Sequence, residues 1–146
     1  MGTNRKAQVT WDGDLLSGAG TINSVTSGTV GPVSVSWATR TETADGKTSP
    51  EELLAAAHAS CYCMALSAGL GKAGTPPTKL EASAEVTFDQ VGEGWGVVTS
   101  AISVLGEVEG ISEADFVAAA EAAKDGCPIS KAIQGNVAIS LQAKLR

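Results

Sequence analysis

Thr48-Ser49-Pro50-Glu51-Glu52-Leu53-Leu54-Ala55-Ala56-Ala57-His58-Ala59-Ser60-Cys61 is the stretch on which the fold turns. Ser49 can cap a helix, Pro50 suits the first helical position with its fixed φ, and Glu52 stands three residues after the cap as a capping box requires. Beyond this start Leu53, Leu54, Ala57, Cys61, Ala65 and Ala68 recur at helical spacing. The expected element is one long helix from Thr48, ending at Gly69 and Gly71.

Working outward, the period changes on both sides. Ala7, Val9 and Trp11, then Val33, Val35 and Trp37, alternate with polar residues around a Gly-, Ser- and Thr-rich stretch, so the first forty residues read as a β-meander with Arg40 at the end of its third strand. After the helix, Gly74-Thr75-Pro76-Pro77 forms a connection, and Leu80, Ala82, Ala84, Val86 and Phe88 alternate with Glu81, Ser83, Glu85 and Thr87. A second strand from Val97 to Val108 alternates around Ile102 and Val104. Ser112 begins a helix with an apolar stripe of Phe116, Ala119, Ala120 and Ala123, Gly126 supplies a left-handed stop, and Cys127-Pro128 opens a short helical piece. A last strand runs through Val137, Ile139, Leu141, Ala143 and Leu145. This order implies an α+β fold with mainly antiparallel sheets, and 146 residues suit one domain, 1–146.

Composition narrows the function. The net charge is −6, without a cluster of Lys and Arg, which argues against nucleic acid as a partner. No apolar run approaches the roughly 20 residues of a membrane span, and no apolar h-region follows Arg5 and Lys6, so the reading is no membrane, no secretory signal and a cytoplasmic location. Three tryptophans, one tyrosine and two phenylalanines stand against 17 glycines, so one chain offers little apolar area and oligomerisation is expected. Three cysteines, an odd number, argue against a disulfide framework and for thiol chemistry or inert buried thiols.

Cys61 sits mid-helix between Ala57 and Ala65 and reads either as a small buried hydrophobe or as a reactive thiol with room beside it. Cys127 sits at a helix start, where backbone N–H groups favour a thiolate, so local chemistry makes it the more acidic of the two. Cys63 lies about 200° around the helix from Cys61 and reads as packing; those opposed faces also exclude a zinc site built from His58, Cys61, Cys63 and Cys127. His58 shares the face of Cys61 and is either a core histidine satisfied by its neighbours or a partner near the thiol. Arg40, alone among the arginines in lying away from the termini, reads as a surface residue unless a carboxylate fixes its fork. The capping box accounts for Glu52 and leaves Glu51 for that role.

The run from Thr48 to Cys61, together with Gly126-Cys127-Pro128-Ile129-Ser130, resembles the OsmC/Ohr family of thiol peroxidases, and Trp11-Asp12-Gly13 and Gly18-Ala19-Gly20-Thr21 extend the resemblance over the chain. It implies an intertwined homodimer with sheets wrapped around central helices and two active sites at the interface. It further implies Cys61 as the peroxidatic thiol, Cys127 as the resolving thiol that closes a Cys61–Cys127 disulfide, Arg40 as the cation that lowers the Cys61 pKa and binds the peroxide, and Glu51 as the holder of Arg40. The substrates implied are organic hydroperoxides, in defence against oxidative and osmotic stress. The implied reductant is a dithiol such as a lipoyl group, and no cofactor or metal is called for. The Ohr branch carries its arginine in the first hairpin, where this chain has none; Arg40 and the His58 context resemble the OsmC branch. A non-enzymatic redox-responsive or ligand-binding dimer is the alternative reading.

Overall fold

The alternation around Val9 and Trp11 forms strand β1 (Ala7–Asp12) in the computed structural model, which describes residues 2–146. β1 pairs antiparallel with β2 (Ala19–Val25), and β2 pairs antiparallel with β3 (Val33–Val35), which gives the expected meander. The third strand is shorter than its alternation implies. Thr39 Oγ1 donates to the Ser36 carbonyl at 2.8 Å, and Arg40 N donates to the Trp37 carbonyl at 3.0 Å. The chain coils there into α1 (Ala38–Thr41), so Arg40 lies on a helical turn and not at a strand end. These elements belong to the first of two compact units, Met1–Pro50 and Glu51–Arg146.

The second unit is built on α2 (Pro50–Lys72), whose first residue is the expected proline. The helix does not end at Gly69 or Gly71. A glycine inside a helix costs on the order of 1 kcal/mol relative to alanine, and the full burial of Leu70 between the two offsets it. Gly74 ends the run at φ +83°, with Thr75 N donating to the Leu70 carbonyl at 3.0 Å. By length and composition α2 could cross a membrane, a property carried by its leucines and alanines although polar residues interrupt the run. Its Tyr62, Leu66 and Leu70 are instead fully buried in a protein core.

β4 (Lys79–Val91) and β5 (Gly94–Glu107) form the expected antiparallel hairpin. β6 (Ala138–Leu145) joins the other side of β5 in parallel, because the chain returns through two helices rather than a hairpin. Those helices are α3 (Glu113–Gly126) and α4 (Pro128–Ile133). Ser112 caps α3, its Oγ accepting from Asp115 N at 3.1 Å. Gly126 is not a left-handed stop; it lies within α3, and the break falls at Cys127, with φ −59° and ψ 126°. The physical reason is Pro128, whose ring drives the residue before it out of the helical region.

The core of this unit lies where α2 and α3 meet one face of β5. Ser100, Ile102 and Val104 point inward from alternate positions and are buried, with Tyr62, Leu66, Leu70, Phe116 and Ala120 completing the cluster. Gly106 continues the same row. A Cβ there would come within 2.4 Å of the Phe116 ring, so glycine is what lets the ring lie on the strand.

Candidate active site

Cys61 and Cys127 come together although 66 positions separate them. Cys61 is half-buried in the middle of α2, and Cys127 is fully buried at the joint between α3 and α4. Both are free thiols, and Cys61 packs against the core cluster that contains Cys127. Cys63, two residues on, borders a groove with Ala56, Ala59, Leu80 and Ala82 instead.

The two sulfurs sit in unlike electrostatic settings. Burial alone would raise the Cys127 thiol, but the Ser130 amide, the Cys61 thiol, the Ser130 hydroxyl and the Ile129 amide together outweigh it and hold Cys127 below the ordinary thiol value. Burial pushes the Cys61 thiol up; the Ile129 amide opposes this, and the hydrogen bond and charge of Cys127 add to it. Within this unit, then, Cys127 is the more acidic of the two thiols.

Behind the pair lies a polar chain. His58 shows no exposed surface; its Nδ1 is 2.7 Å from Ser100 Oγ and its Nε2 is 2.8 Å from Ser130 Oγ, with Ser100 and Ser130 also buried. Burial lowers the His58 pKa and keeps the ring neutral. Ser100 and Ser130 escaped the reading of the sequence as site residues. A signal for Ser100 existed: it falls on the same alternation as Ile102 and Val104, a polar residue in an apolar row.

The other two expected site residues are placed as follows. Glu51 is buried in the first turn of α2, and its Cα is about 15 Å along the axis from that of Cys61. Arg40 is half-buried in the first unit, its guanidinium carbon 5.7 Å from the centroid of the Trp37 ring.

Comparison with known proteins fits this arrangement. The family model described as OsmC-like protein matches residues 43–142. The chain is 38% identical over 144 residues to the peroxiredoxin OsmC of Escherichia coli strain K12, covering 99% of both. It is 31% identical over 100 residues to an organic hydroperoxide resistance protein of Xanthomonas axonopodis pv. citri, covering 64% of this chain and 65% of that one. Among solved structures, the organic hydroperoxide resistance protein OhrB of Bacillus subtilis superposes with a TM-score of 0.74 at 23% identity, over 95% of this chain and 98% of that one, which speaks for the fold. Full-length similarity in sequence, and a shared fold of two three-stranded sheets with helices, show that the chain belongs to the OsmC-like protein family.

Proposed function

We propose that this chain is a thiol-dependent peroxidase that reduces hydroperoxides, organic ones above all, to alcohols in oxidative and osmotic stress defence. The observation that carries the reading is the pair Cys61 and Cys127, two free thiols packed into one core cluster and held at unlike acidity. The names of the relatives, a peroxiredoxin and an organic hydroperoxide resistance protein, support it. In this reading the Cys61 thiolate attacks the terminal peroxide oxygen and the O–O bond breaks. The alcohol leaves with a proton, and Cys61 becomes a sulfenic acid. Cys127 then forms the S–S bond, the S–O bond breaks and water leaves; an external dithiol, of the lipoyl kind, returns both cysteines to thiols.

Burial raises the Cys61 thiol, so the first step needs a cation. Arg40, held by Glu51, is that cation in this reading, and its planar fork also suits a developing oxyanion. Glu51 and Cys61 are too far apart on one helix for a single arginine to serve both, which favours a homodimer in which the start of one α2 lies beside the Cys61 of the other. The exposure of α2 agrees: Met64 is 71% exposed and Leu53 37%, with Glu51, His58, Tyr62, Leu66 and Leu70 the buried residues of 23. Each chain contributes one OsmC-like domain, 1–146, acting in the cytoplasm. The test is consumption of cumene or tert-butyl hydroperoxide by the purified protein with dihydrolipoamide. Turnover is expected; none would leave a non-enzymatic redox-responsive dimer as the better reading.

A further inference from the structure

The peroxidase reading gives no role to His58, the one histidine of the chain, although it is fully buried and both ring nitrogens are engaged. Its place in the fold is regular. On α2 it begins a buried row spaced by four, His58, Tyr62, Leu66 and Leu70, and on β5 Ser100 begins the inward row that continues through Ile102 and Val104. Both rows turn polar at the same end, where His58 Nδ1 lies 2.7 Å from Ser100 Oγ. Nε2 points the other way, to Ser130 Oγ of α4 at 2.8 Å. A hydroxyl donates or accepts, so either neutral tautomer of the ring satisfies both bonds. The bond to Ser130 stands in matching relation to the two thiols. Cys61 follows His58 by three residues on α2, and Ser130 follows Cys127 by three at the start of α4. Three residues of helix rise about 4.5 Å and come back to nearly the same face, so each thiol sits about one turn from the bond.

We infer that the His58–Ser130 hydrogen bond is a clasp between α2 and α4 that fixes the approach of Cys127 to Cys61, which makes His58 a positioning residue for disulfide closure. Ser100, on the strand, holds the ring from its other nitrogen, so the clasp is anchored on the sheet. Cost argues for a use. An imidazole and two hydroxyls occupy a core that apolar side chains would fill, and buried polar groups are tolerated when they are bonded. Here they are: no buried side-chain nitrogen or oxygen among the described residues lacks a partner. Geometry says what the use is. A disulfide needs Cβ atoms roughly 3.5–4.5 Å apart, and α4, Pro128–Ile133, is six residues long, too short to be stable without tertiary contacts. Packing of Ile129 against the core is non-directional and permits sliding, whereas a hydrogen bond restricts both length and angle.

The inference rests on the peroxidase reading for the step it serves. There the Cys127 lone pair forms the S–S bond to the Cys61 sulfenic sulfur, the S–O bond breaks, and hydroxide leaves as water with a proton from solvent. The clasp itself is open to test without peroxide, by titrating the two thiols against glutathione with Cys63→Ala as the background. Glutathione disulfide takes two electrons from the pair, leaving the Cys61–Cys127 disulfide and two glutathione thiols, and the equilibrium constant reads how readily the sulfurs meet. Glutamine places its amide near the position of Nε2, and asparagine near that of Nδ1. Ser130→Ala and His58→Asn, which lose the bond between the helices, are each expected to lower the constant about tenfold, a shift of about 30 mV. His58→Gln and Ser100→Ala, which keep it, are expected to stay within about threefold. A histidine that served stability alone would give Ser100→Ala and Ser130→Ala the same effect. An unmoved constant in Ser130→Ala, or equal losses in His58→Gln and His58→Asn, overturns the clasp; if the His58 variants do not fold, the two serine variants decide it. A background protein that closes the disulfide with glutathione disulfide but not with hydroperoxide would overturn the peroxidase reading instead.

Discussion

Cys61 and Cys127 touch, yet the chain treats them oppositely. Cys127 stands where a proline breaks two helices apart, so amides and the Ser130 hydroxyl converge on its sulfur. Cys61 stands mid-helix, where the backbone N–H groups are already spent on the helix, and only the Ile129 amide favours its charge. Local structure can acidify the first thiol but not the second. The difference teaches that one thiol is acidified by its own neighbourhood whereas the other is not; in the proposed function this makes the attacking thiol the one that depends on a cation from elsewhere in a dimer.

The comparison can be broken by removing its members in turn. Cys61→Ser is expected to reduce hydroperoxide turnover to background, since no other thiol is placed to attack first; a fully active variant ends the peroxidase reading. Cys127→Ser has the next largest effect, one oxidation per site and then arrest, with dimedone trapping the sulfenic acid on Cys61. Arg40→Ala is expected to slow the first oxidation by about a hundredfold, a loss of roughly 2.7 kcal/mol in transition-state stabilisation, with Arg40→Lys recovering little because a point charge lacks the fork. An unchanged rate in stopped-flow measurements would remove Arg40 from the site. The smallest effect is on stability. His58 is held neutral in the folded chain, its pKa below 6.5, so the unfolded chain binds one more proton as pH falls beneath that value. The stability this contributes is fully present above pH 6.5 and is lost as pH falls through the folded value. The melting temperature should therefore decline from pH 6.5 toward pH 5, and His58→Leu should remove that decline.

How much of this was legible in the sequence follows from how local each signal is. Pro50, the Ser112 cap and the alternation of Leu80 to Phe88 act over a few residues, and the elements they announce are present. Gly69 and Gly71 misled because the burial of Leu70, a tertiary effect, carries the helix through them. The parallel pairing of β6 with β5 was not legible, since strand partners are chosen at long range. In the site, both cysteines stood out by residue type and context. The serines did not: Ser130 is an ordinary residue in a short helix until His58 reaches it from 72 positions away. Ser100 was within reach of the pattern, as the one polar residue in the inward row that continues to Ile102 and Val104.

The claim at the centre, that Cys61 and Cys127 are one redox pair and Cys63 stands outside it, is tested most directly by peptide mapping. The unmutated protein is treated with one equivalent of cumene hydroperoxide, alkylated and digested without reduction. The account predicts a peptide pair joining Cys61 to Cys127 within one chain, with Cys63 recovered alkylated. A main bridge containing Cys63 would contradict it.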